Sequence, residues 1–226
     1  AFDITERLNA EQLRREFSAN VSHELKTPLQ SIIGSAELME NGLVKAEDAP
    51  RFVGYIRKEA SRLVNLIEDI IRLSQLDEGV VMPTENVDLL ALAEEVKTIL
   101  QPGAAQKNVR ITVSGEGFSL SGVRRLLHEM IYNLCDNAIK YNVPGGSVHV
   151  HVEQNRLTVS DTGIGIPAEH QTRVFERFYR VDKSYSKATG GTGLGLSIVK
   201  HAASCHKATL ELKSTPGKGT SITVTF

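Results

Sequence analysis

Phe17-Ser18-Ala19-Asn20-Val21-Ser22-His23-Glu24-Leu25-Lys26-Thr27-Pro28 is the stretch from which the first part of the chain is read. Its apolar residues Phe17, Val21 and Leu25 recur every four positions and draw one stripe along a helix. His23 falls between Val21 and Leu25, so its imidazole is expected to project away from that stripe into water. Thr27 stands four residues on and shares the face of His23. Pro28 has no amide hydrogen to give the carbonyl of Glu24, which loosens the helix one turn past the histidine. An isolated histidine in such a place is ordinarily a surface residue of an amphipathic helix. It becomes a nucleophile only if the rest of the chain brings a phosphoryl donor, because an imidazole whose tautomer is set by a neighbour can attack phosphorus. Glu24 is placed to accept the proton of one ring nitrogen and leave the other to attack.

Outward from this stretch, residues 5–41 read as one long helix. Leu8, Phe17, Val21, Leu25, Ile32, Ala36 and Met39 trace its stripe, and Asn41-Gly42 is its stop. A turn over Val44 to Pro50 leads to a second helix with Phe52, Ile56, Ala60, Leu63, Ile67, Ile70 and Leu76 on one side, ended by Gly79 and Pro83. Two long helices joined by a short loop make an antiparallel hairpin. The pairs Ile32/Ile33, Leu66/Ile67 and Ile70/Ile71 broaden the apolar face beyond what one hairpin covers. Pairing two hairpins into a four-helix bundle would bury it, at roughly 1.5–3 kcal/mol for each large aliphatic. A homodimer is therefore expected. The competing arrangement packs the hairpin on the chain's own second domain.

Composition sets the outer bounds. With 226 residues the chain holds one large domain or two ordinary ones, and 41% hydrophobic with 23% charged residues is globular. A net charge of −1 gives no electrostatic case for nucleic acid or a membrane surface as partner. Two cysteines, Cys135 and Cys205, make no disulfide framework. Cys135 reads as a small buried hydrophobe. No apolar run reaches the length of about 18 residues that spans a bilayer, and no signal peptide is visible. His201, Cys205 and His206 lack a carboxylate or second cysteine at ligand spacing, so zinc is not expected. His128, His149, His151 and His170 have no partnered spacing and read as surface residues.

From Glu85 the pattern becomes mixed. Val87-Asp88 leads into a helix over 89–100, closed by Pro102-Gly103, and Val109 to Val113 alternates as a strand. Ser121 is expected to cap a helix running to about Tyr141. Ser147 to Val152 and Arg156 to Ser160 read as a hairpin, residues 161–192 as loop-rich, and Leu194 to about Ser204 as helix. Ala208 to Lys213 and Thr220 to Phe226 close the chain as a strand pair across Pro216-Gly217. The sum is an α/β layer with the sheet on one side and helices on the other.

Four segments of this second part converge on a nucleotide. Asn133-Leu134-Cys135-Asp136-Asn137-Ala138-Ile139-Lys140-Tyr141 sets Asn133 and Asn137 on one helical face with Lys140 beside them. Amide oxygens suit Mg²⁺, Lys140 can neutralise phosphate, and Tyr141 can lie against a flat base; two asparagines on a helix are otherwise polar surface. Asp161-Thr162-Gly163-Ile164-Gly165-Ile166-Pro167 follows a strand. Asp161 can accept from an adenine amino group while the glycines admit the base, although glycine turns after strands are common. Phe175-Glu176-Arg177-Phe178-Tyr179-Arg180 offers aromatics to anchor a loop and Arg177 or Arg180 to reach a γ-phosphate; a packed surface helix with exposed arginines fits it equally. Gly190-Gly191-Thr192-Gly193-Leu194-Gly195-Leu196-Ser197 opens into a helix, and bare amides at a helix start bind phosphate. It is not a Walker loop, since no Lys-Ser/Thr follows its last glycine. Nor is it a dinucleotide fingerprint, which needs a following strand and an acidic ribose ligand.

These residues carry a resemblance. Ser22-His23-Glu24-Leu25-Lys26-Thr27-Pro28 resembles the phosphoacceptor box of sensor histidine kinases, the receptor half of bacterial two-component systems. The four later segments, in order, resemble the N, G1, F and G2 boxes of the kinase ATP-binding domain, whose fold is shared with gyrase, Hsp90 and MutL. The resemblance covers about residues 17–226. It implies an α plus α/β chain: a phosphotransfer hairpin over 17–80 that dimerises into a four-helix bundle, then an α/β sandwich over 81–226 that binds ATP. Ala1-Phe2-Asp3-Ile4-Thr5-Glu6-Arg7 resembles the end of a PAS sensory domain, so residues 1–16 would be a signalling helix. Input elements would lie upstream and bring any membrane anchor, leaving this chain as the cytoplasmic portion of a receptor.

By position, Asn137 with Asn133 would hold Mg²⁺, Lys140 would meet the phosphates, Tyr141 the purine and Asp161 adenine N6. Gly163, Gly165 and Ile166 would shape the base pocket, and Gly191, Thr192, Gly193, Leu194 and Gly195 would wrap the triphosphate. The lid between Asp182 and Gly190, with Lys183, Ser184 and Lys187, would close over ATP. The chain departs from the commoner pattern at Ser121-Gly122, where relatives often have Gly-Asp, and at Ala203-Ser204-Cys205-His206-Lys207, in place of a glycine-rich turn. The implied activity is transfer of the γ-phosphoryl of ATP to His23, with Glu24 orienting and deprotonating the ring, and then to an aspartate of a response-regulator receiver domain docked on the bundle. The family's H-E-x-x-T pattern is associated with a reverse activity, in which Thr27 would position a water to dephosphorylate the regulator. Signals arriving through residues 5–20 would bend the bundle near Pro28 and shift that balance. Two rivals stand beside this reading. An ATP-driven clamp of the gyrase or Hsp90 type needs a carboxylate base where Asn133 stands, and an inactive dimeric scaffold would be expected to have lost His23 or an N-box asparagine.

Overall fold

The computed structural model describes residues 2–77, 82–182 and 191–226. Gly79 and the expected lid residues Lys183, Ser184, Lys187 and Gly190 lie outside the described residues, as do the side chains of Leu8 and Leu76. The chain divides into two units, Ala1–Glu78 and Gly79–Phe226.

The first unit is a hairpin of two helices, α1 (Phe2–Glu40) and α2 (Ala49–Asp77). α1 ends where the sequence says it should. Gly42 adopts φ 68°, and the amides of Gly42 and Leu43 turn back to the carbonyls of Met39 and Leu38 at 3.2 and 3.0 Å, the paired reversed bonds that close a helix on a left-handed residue. α1 runs through Pro28 unbroken. The Thr27 hydroxyl donates to the His23 carbonyl at 3.1 Å, one turn of side-chain support beside the point where the proline amide is missing. Within the hairpin Val21, Leu25, Ile32, Phe52, Ile56, Leu63 and Ile70 are partly covered. Leu29, Ile33, Val53, Val64, Ile67 and Ile71 remain 42–54% exposed. Ala36, Ala60 and Ile67, expected on the covered stripes, are thus exposed. None of the described helices is long and apolar enough to cross a membrane.

The second unit opens with β1 (Glu85–Asp88), which pairs antiparallel with β3 (Ser119–Gly122). Between them lie α3 (Leu89–Gln106) and β2 (Arg110–Gly115). α4 (Arg124–Lys140), β4 (Ser147–Glu153), β5 (Arg156–Asp161) and the single turn α5 (Ala168–Gln171) follow. α6 (Gly195–Cys205), β6 (Thr209–Thr215) and β7 (Gly219–Thr225) complete it. Five strands form one sheet in the order β2-β4-β5-β7-β6; β2 and β4 run parallel and the other neighbours antiparallel. Alternation decides its faces. Ile111, Val148, Val150, Val152, Leu157, Val159, Ile222 and Val224 are buried with Leu127, Met130, Ile131, Leu134, Ile198 and Val199 of the helices. The opposite face carries Thr112, Ser114, His149, His151, Thr158, Ser160, Ser221 and Thr223, joined across strands by hydroxyl and imidazole hydrogen bonds.

Two helix-boundary expectations are corrected here. α3 continues through Pro102-Gly103 to Gln106. Burial of Leu100 and Ala104 keeps its last turn on the core, and the stop is Asn108 at φ 55°, with the Asn108 and Val109 amides returned to Ala105 and Ala104 at 3.0 and 2.9 Å. Ser121 caps nothing: it lies in β3 opposite Asn86. α4 begins instead at Val123, whose amide donates to His206 Nε2 at 3.0 Å, while Nδ1 of that ring lies 2.7 Å from the Ala202 carbonyl. The accepting Nε2 puts the ring proton on Nδ1, so His206 is a structural link between the start of α4 and the end of α6. His170 is likewise partnered, its Nδ1 2.6 Å from the Tyr179 hydroxyl. Cys135 is buried as expected, and burial pushes its thiol up to about 12.

Candidate nucleotide site

The second unit gathers its polar groups around the polar stripe of α4. Asn133 and Asn137 stand one turn apart, and Asn133 Nδ2 donates to the Glu129 carbonyl at 2.8 Å. That bond fixes the amide so that its oxygen looks at the start of α6, where a Cβ added to Gly195 would stand 2.8 Å from Asn133 Oδ1. Lys140 Nζ is 2.7 Å from Asp136 Oδ2. Burial pushes the ammonium pKa down, but the Asp136 carboxylate outweighs it and the net direction is up. Lys140 therefore stays charged, held by a carboxylate that the sequence reading had left without a role. Lys107 reaches the Lys140 carbonyl at 3.1 Å, and burial with the neighbouring Lys140 charge lowers its pKa.

At the end of β5, Asp161 is partly buried. Its Oδ1 accepts from the amides of Gly163 and Thr220 at 2.8 and 3.2 Å. Desolvation raises the carboxyl pKa, and those two donors oppose the rise. Both amides go to one oxygen. Gly163 has no room for a side chain, since a Cβ there would lie 2.4 Å from the Tyr141 carbonyl. Tyr141 caps α4, and its carbonyl accepts from Ile164 at 3.0 Å. Gly165 backs onto the Thr215 carbonyl, and the Ile166 amide donates to Ser214 Oγ at 2.8 Å. Asp161 and Tyr141 are thus locked side by side by backbone.

The third and fourth segments meet each other. The Phe178 amide donates to the Gly193 carbonyl at 2.8 Å, and Arg180 Nη2 to the Thr192 carbonyl at 2.9 Å. Phe178 and Gly193 both hold positive φ, 64° and 76°, and a Cβ on Gly193 would meet the Phe178 backbone at 2.9 Å. The Leu194 amide donates to Thr192 Oγ1 at 3.3 Å, and buried Leu194 caps α6. Arg180 therefore works on the loop, whereas Arg177 is exposed. Gly191 and Gly195 flank this junction and are half-buried.

These groups suit a purine and its phosphates: a half-buried carboxylate at Asp161, and a helix start set against the side-chain amides of Asn133 and Asn137. The family model for histidine kinase-, DNA gyrase B- and HSP90-like ATPases matches residues 122–226, and that for the His Kinase A (phospho-acceptor) domain matches residues 13–79. The chain belongs to the sensor histidine kinase family. The sensor-like histidine kinase SenX3 of Mycolicibacterium smegmatis is 38% identical, over 99% of this chain and 60% of that protein. The phosphate regulon sensor protein PhoR of Pseudomonas aeruginosa is 40% identical, over 99% of this chain and 52% of that protein. The chain thus spans half to three fifths of the length of these relatives. Among solved structures, the histidine kinase ThkA, determined in complex with the response regulator protein TrrA, superposes with a TM-score of 0.78 at 22% identity, over 97% of this chain and 63% of that one. That likeness is one of fold.

The stretch that matches the phospho-acceptor family model belongs to the first unit, and the α4 and Asp161 groups belong to the second. His23 is exposed on α1. Next to it in sequence, Glu24 has its Oε2 3.6 Å from Nη2 of Arg62 on α2, and Arg62 Nη1 lies 3.5 Å from Glu59. Arg62 was missed in the sequence because an arginine on a helix reads as solvated. Asn142 was missed as well. It is buried, donates to the carbonyls of Ala138 and Ser147 at 3.0 Å each, and accepts from Thr162 Oγ1 at 3.3 Å, which clamps the end of α4 to the Asp161 loop. Its signal was available, since asparagine just past a helix end is a favoured cap.

Proposed function

We propose that this chain is the catalytic core of a sensor histidine kinase, in which the second unit holds ATP and the first presents His23 as acceptor. The observation that carries the nucleotide reading is Asp161, whose Oδ1 takes both backbone amides and leaves Oδ2 to accept from the exocyclic amine of adenine. Lys140 and the amides at the start of α6 would meet the phosphates. Asn133 and Asn137 would hold Mg²⁺, which when bound would offset the charge that develops on the phosphates. In the transfer, one ring nitrogen of His23 forms a bond to the γ-phosphorus as the bond to the bridging oxygen of ADP breaks. The proton on the other ring nitrogen passes to Glu24. For that, Glu24 must leave or share its ion pair with Arg62, so the pair would act as a brake on the acceptor.

A second copy of the chain would cover the stripe of Leu29, Ile33, Val53, Val64, Ile67 and Ile71, giving a homodimeric four-helix bundle. Phosphohistidine would pass its group to an aspartate of a response regulator, the class of partner named in the ThkA complex. Thr27 would position the water for the reverse, dephosphorylating reaction; its hydroxyl now donates to the His23 carbonyl, so this role requires a χ1 rotation. A membrane anchor would come from segments upstream. Asn133 argues against the clamp alternative, because an amide cannot serve as a hydrolytic base.

Parallel incubation with α-labelled and γ-labelled ATP and Mg²⁺ tests the reading. A transferase retains only the γ label. Retention of neither label after denaturation would return the chain to the clamp or scaffold class.

A further inference from the structure

The Glu129 carbonyl fixes Asn133, but the Glu129 carboxylate has had no part so far, although it stands on the site. It lies four residues before Asn133 and eight before Asn137 on α4, so the three share one face of the helix. Its side chain is only 12% exposed. Oε1 accepts from Arg125 Nε at 3.2 Å. Oε2 is buried and meets no hydrogen-bond donor among the described residues. A buried carboxylate oxygen without a donor is costly and calls for a partner that arrives with something else.

The donor set proposed for the cation needs such an oxygen. Mg²⁺ at phosphoryl-transfer sites is usually held through one or two carboxylates together with phosphates and retained waters, whereas Asn133 and Asn137 offer only neutral amides. Of the other carboxylates nearby, Asp136 is committed to Lys140 at 2.7 Å, and Asp161 Oδ1 is committed to two backbone amides. Glu129 Oε2, by contrast, is buried and without a hydrogen-bond donor among the described residues. We propose that Glu129 Oε2 is the anionic member of the cation site, accepting hydrogen bonds from water on the Mg²⁺ that Asn133 and Asn137 hold. The assignment rests on the nucleotide reading above and adds to it a carboxylate that tunes cation affinity through the cation's water shell.

The test reads the coupling between metal and nucleotide instead of turnover. A fluorescent, non-hydrolysable ATP analogue is titrated into the whole chain, once in EDTA and once with saturating Mn²⁺. The ratio of the two Kd values measures how far the metal tightens the nucleotide. Glu129→Gln keeps the shape and removes the charge. Its Kd in EDTA is expected to be unchanged or tighter, and its metal-dependent tightening to fall about tenfold, the usual scale for an outer-sphere ligand. Glu129→Asp should recover part of that loss. Arg125→Ala should leave the tightening within twofold of wild type. Thermal melting of each variant reports folding separately. An unchanged ratio in Glu129→Gln overturns the assignment, and so does an equal loss in Arg125→Ala, which would make the Arg125–Glu129 pair a prop for the helix. A wild-type chain that takes up the analogue in neither condition removes the nucleotide reading itself, which keeps the two failures distinct.

Discussion

Asp161 shows how a binding group can be kept at a cost to the fold. A carboxyl whose folded-state pKa lies above its ordinary value favours folding while protonated, and that stability is lost as pH rises through the folded pKa. At pH 7 the buried charge therefore weighs against the second unit. Asp161→Asn keeps an oxygen for the Gly163 and Thr220 amides and removes the charge. The variant is expected to melt about 2 °C higher than wild type at pH 7, the gap closing as pH falls through the raised pKa, while adenine nucleotide affinity is lost. Calorimetry across that range decides it; an unchanged melting temperature at pH 7 would mean that solvent reaches the carboxylate freely. Thr27 gives a second residue-level case. Thr27→Ala deletes the hydroxyl but leaves the His23 ring, so label uptake from ATP should persist within about threefold while dephosphorylation of the regulator drops by about a hundredfold, the range for a positioned proton-transfer or water-holding group. Equal losses in both directions would assign Thr27 to the helix alone.

Helix ends show what could be read from the sequence and what could not. Asn41-Gly42 and the strand pair across Pro216-Gly217 were legible, because glycine advertises the left-handed residue that each turn needs. Asn108 and Lys207 do the same work, at φ 55° each, but Pro102-Gly103 looked like the stronger stop before Asn108, and a lysine advertises nothing. Lys207 closes α6 with the Lys207 and Ala208 amides on Ser204 and Ala203 at 3.0 and 2.9 Å. Its backbone strain is worth about 1–2 kcal/mol, against roughly 0.5–1 kcal/mol of extra unfolded-chain freedom for glycine. Lys207→Gly should therefore stabilise the second unit by roughly 0.5–1 kcal/mol, read as a shifted urea midpoint at constant slope, and Asn108→Gly by less because asparagine tolerates the left-handed region. A lower midpoint for Lys207→Gly would show that its stem packs usefully. β1 and β3 stayed hidden for another reason: four residues apiece carry too short an alternation to read. The candidate site's segments stood out as motifs and Asn142 as a cap, whereas Arg62, Asp136 and Glu129 emerge only from what each side chain touches.

For the molecule as a whole, the proposed homodimer rests on the hairpin's uncovered stripe. Joint replacement of Ile67 and Ile71 by Glu puts two charges where a second copy would bury apolar surface, and should shift the chain from dimer to monomer in sedimentation at micromolar concentration with nucleotide affinity intact; a monomeric wild type would remove the bundle from the account. The central claim is that phosphate from ATP comes to rest on His23. The most direct measurement is the fate of γ-labelled ATP with Mg²⁺ on wild type and on His23→Ala. The account predicts a wild-type label that survives base and is lost in acid, as a phosphorus–nitrogen bond on imidazole should be, and no label on the variant. Undiminished label on His23→Ala, or a wild-type label stable in acid and lost in base, would contradict it.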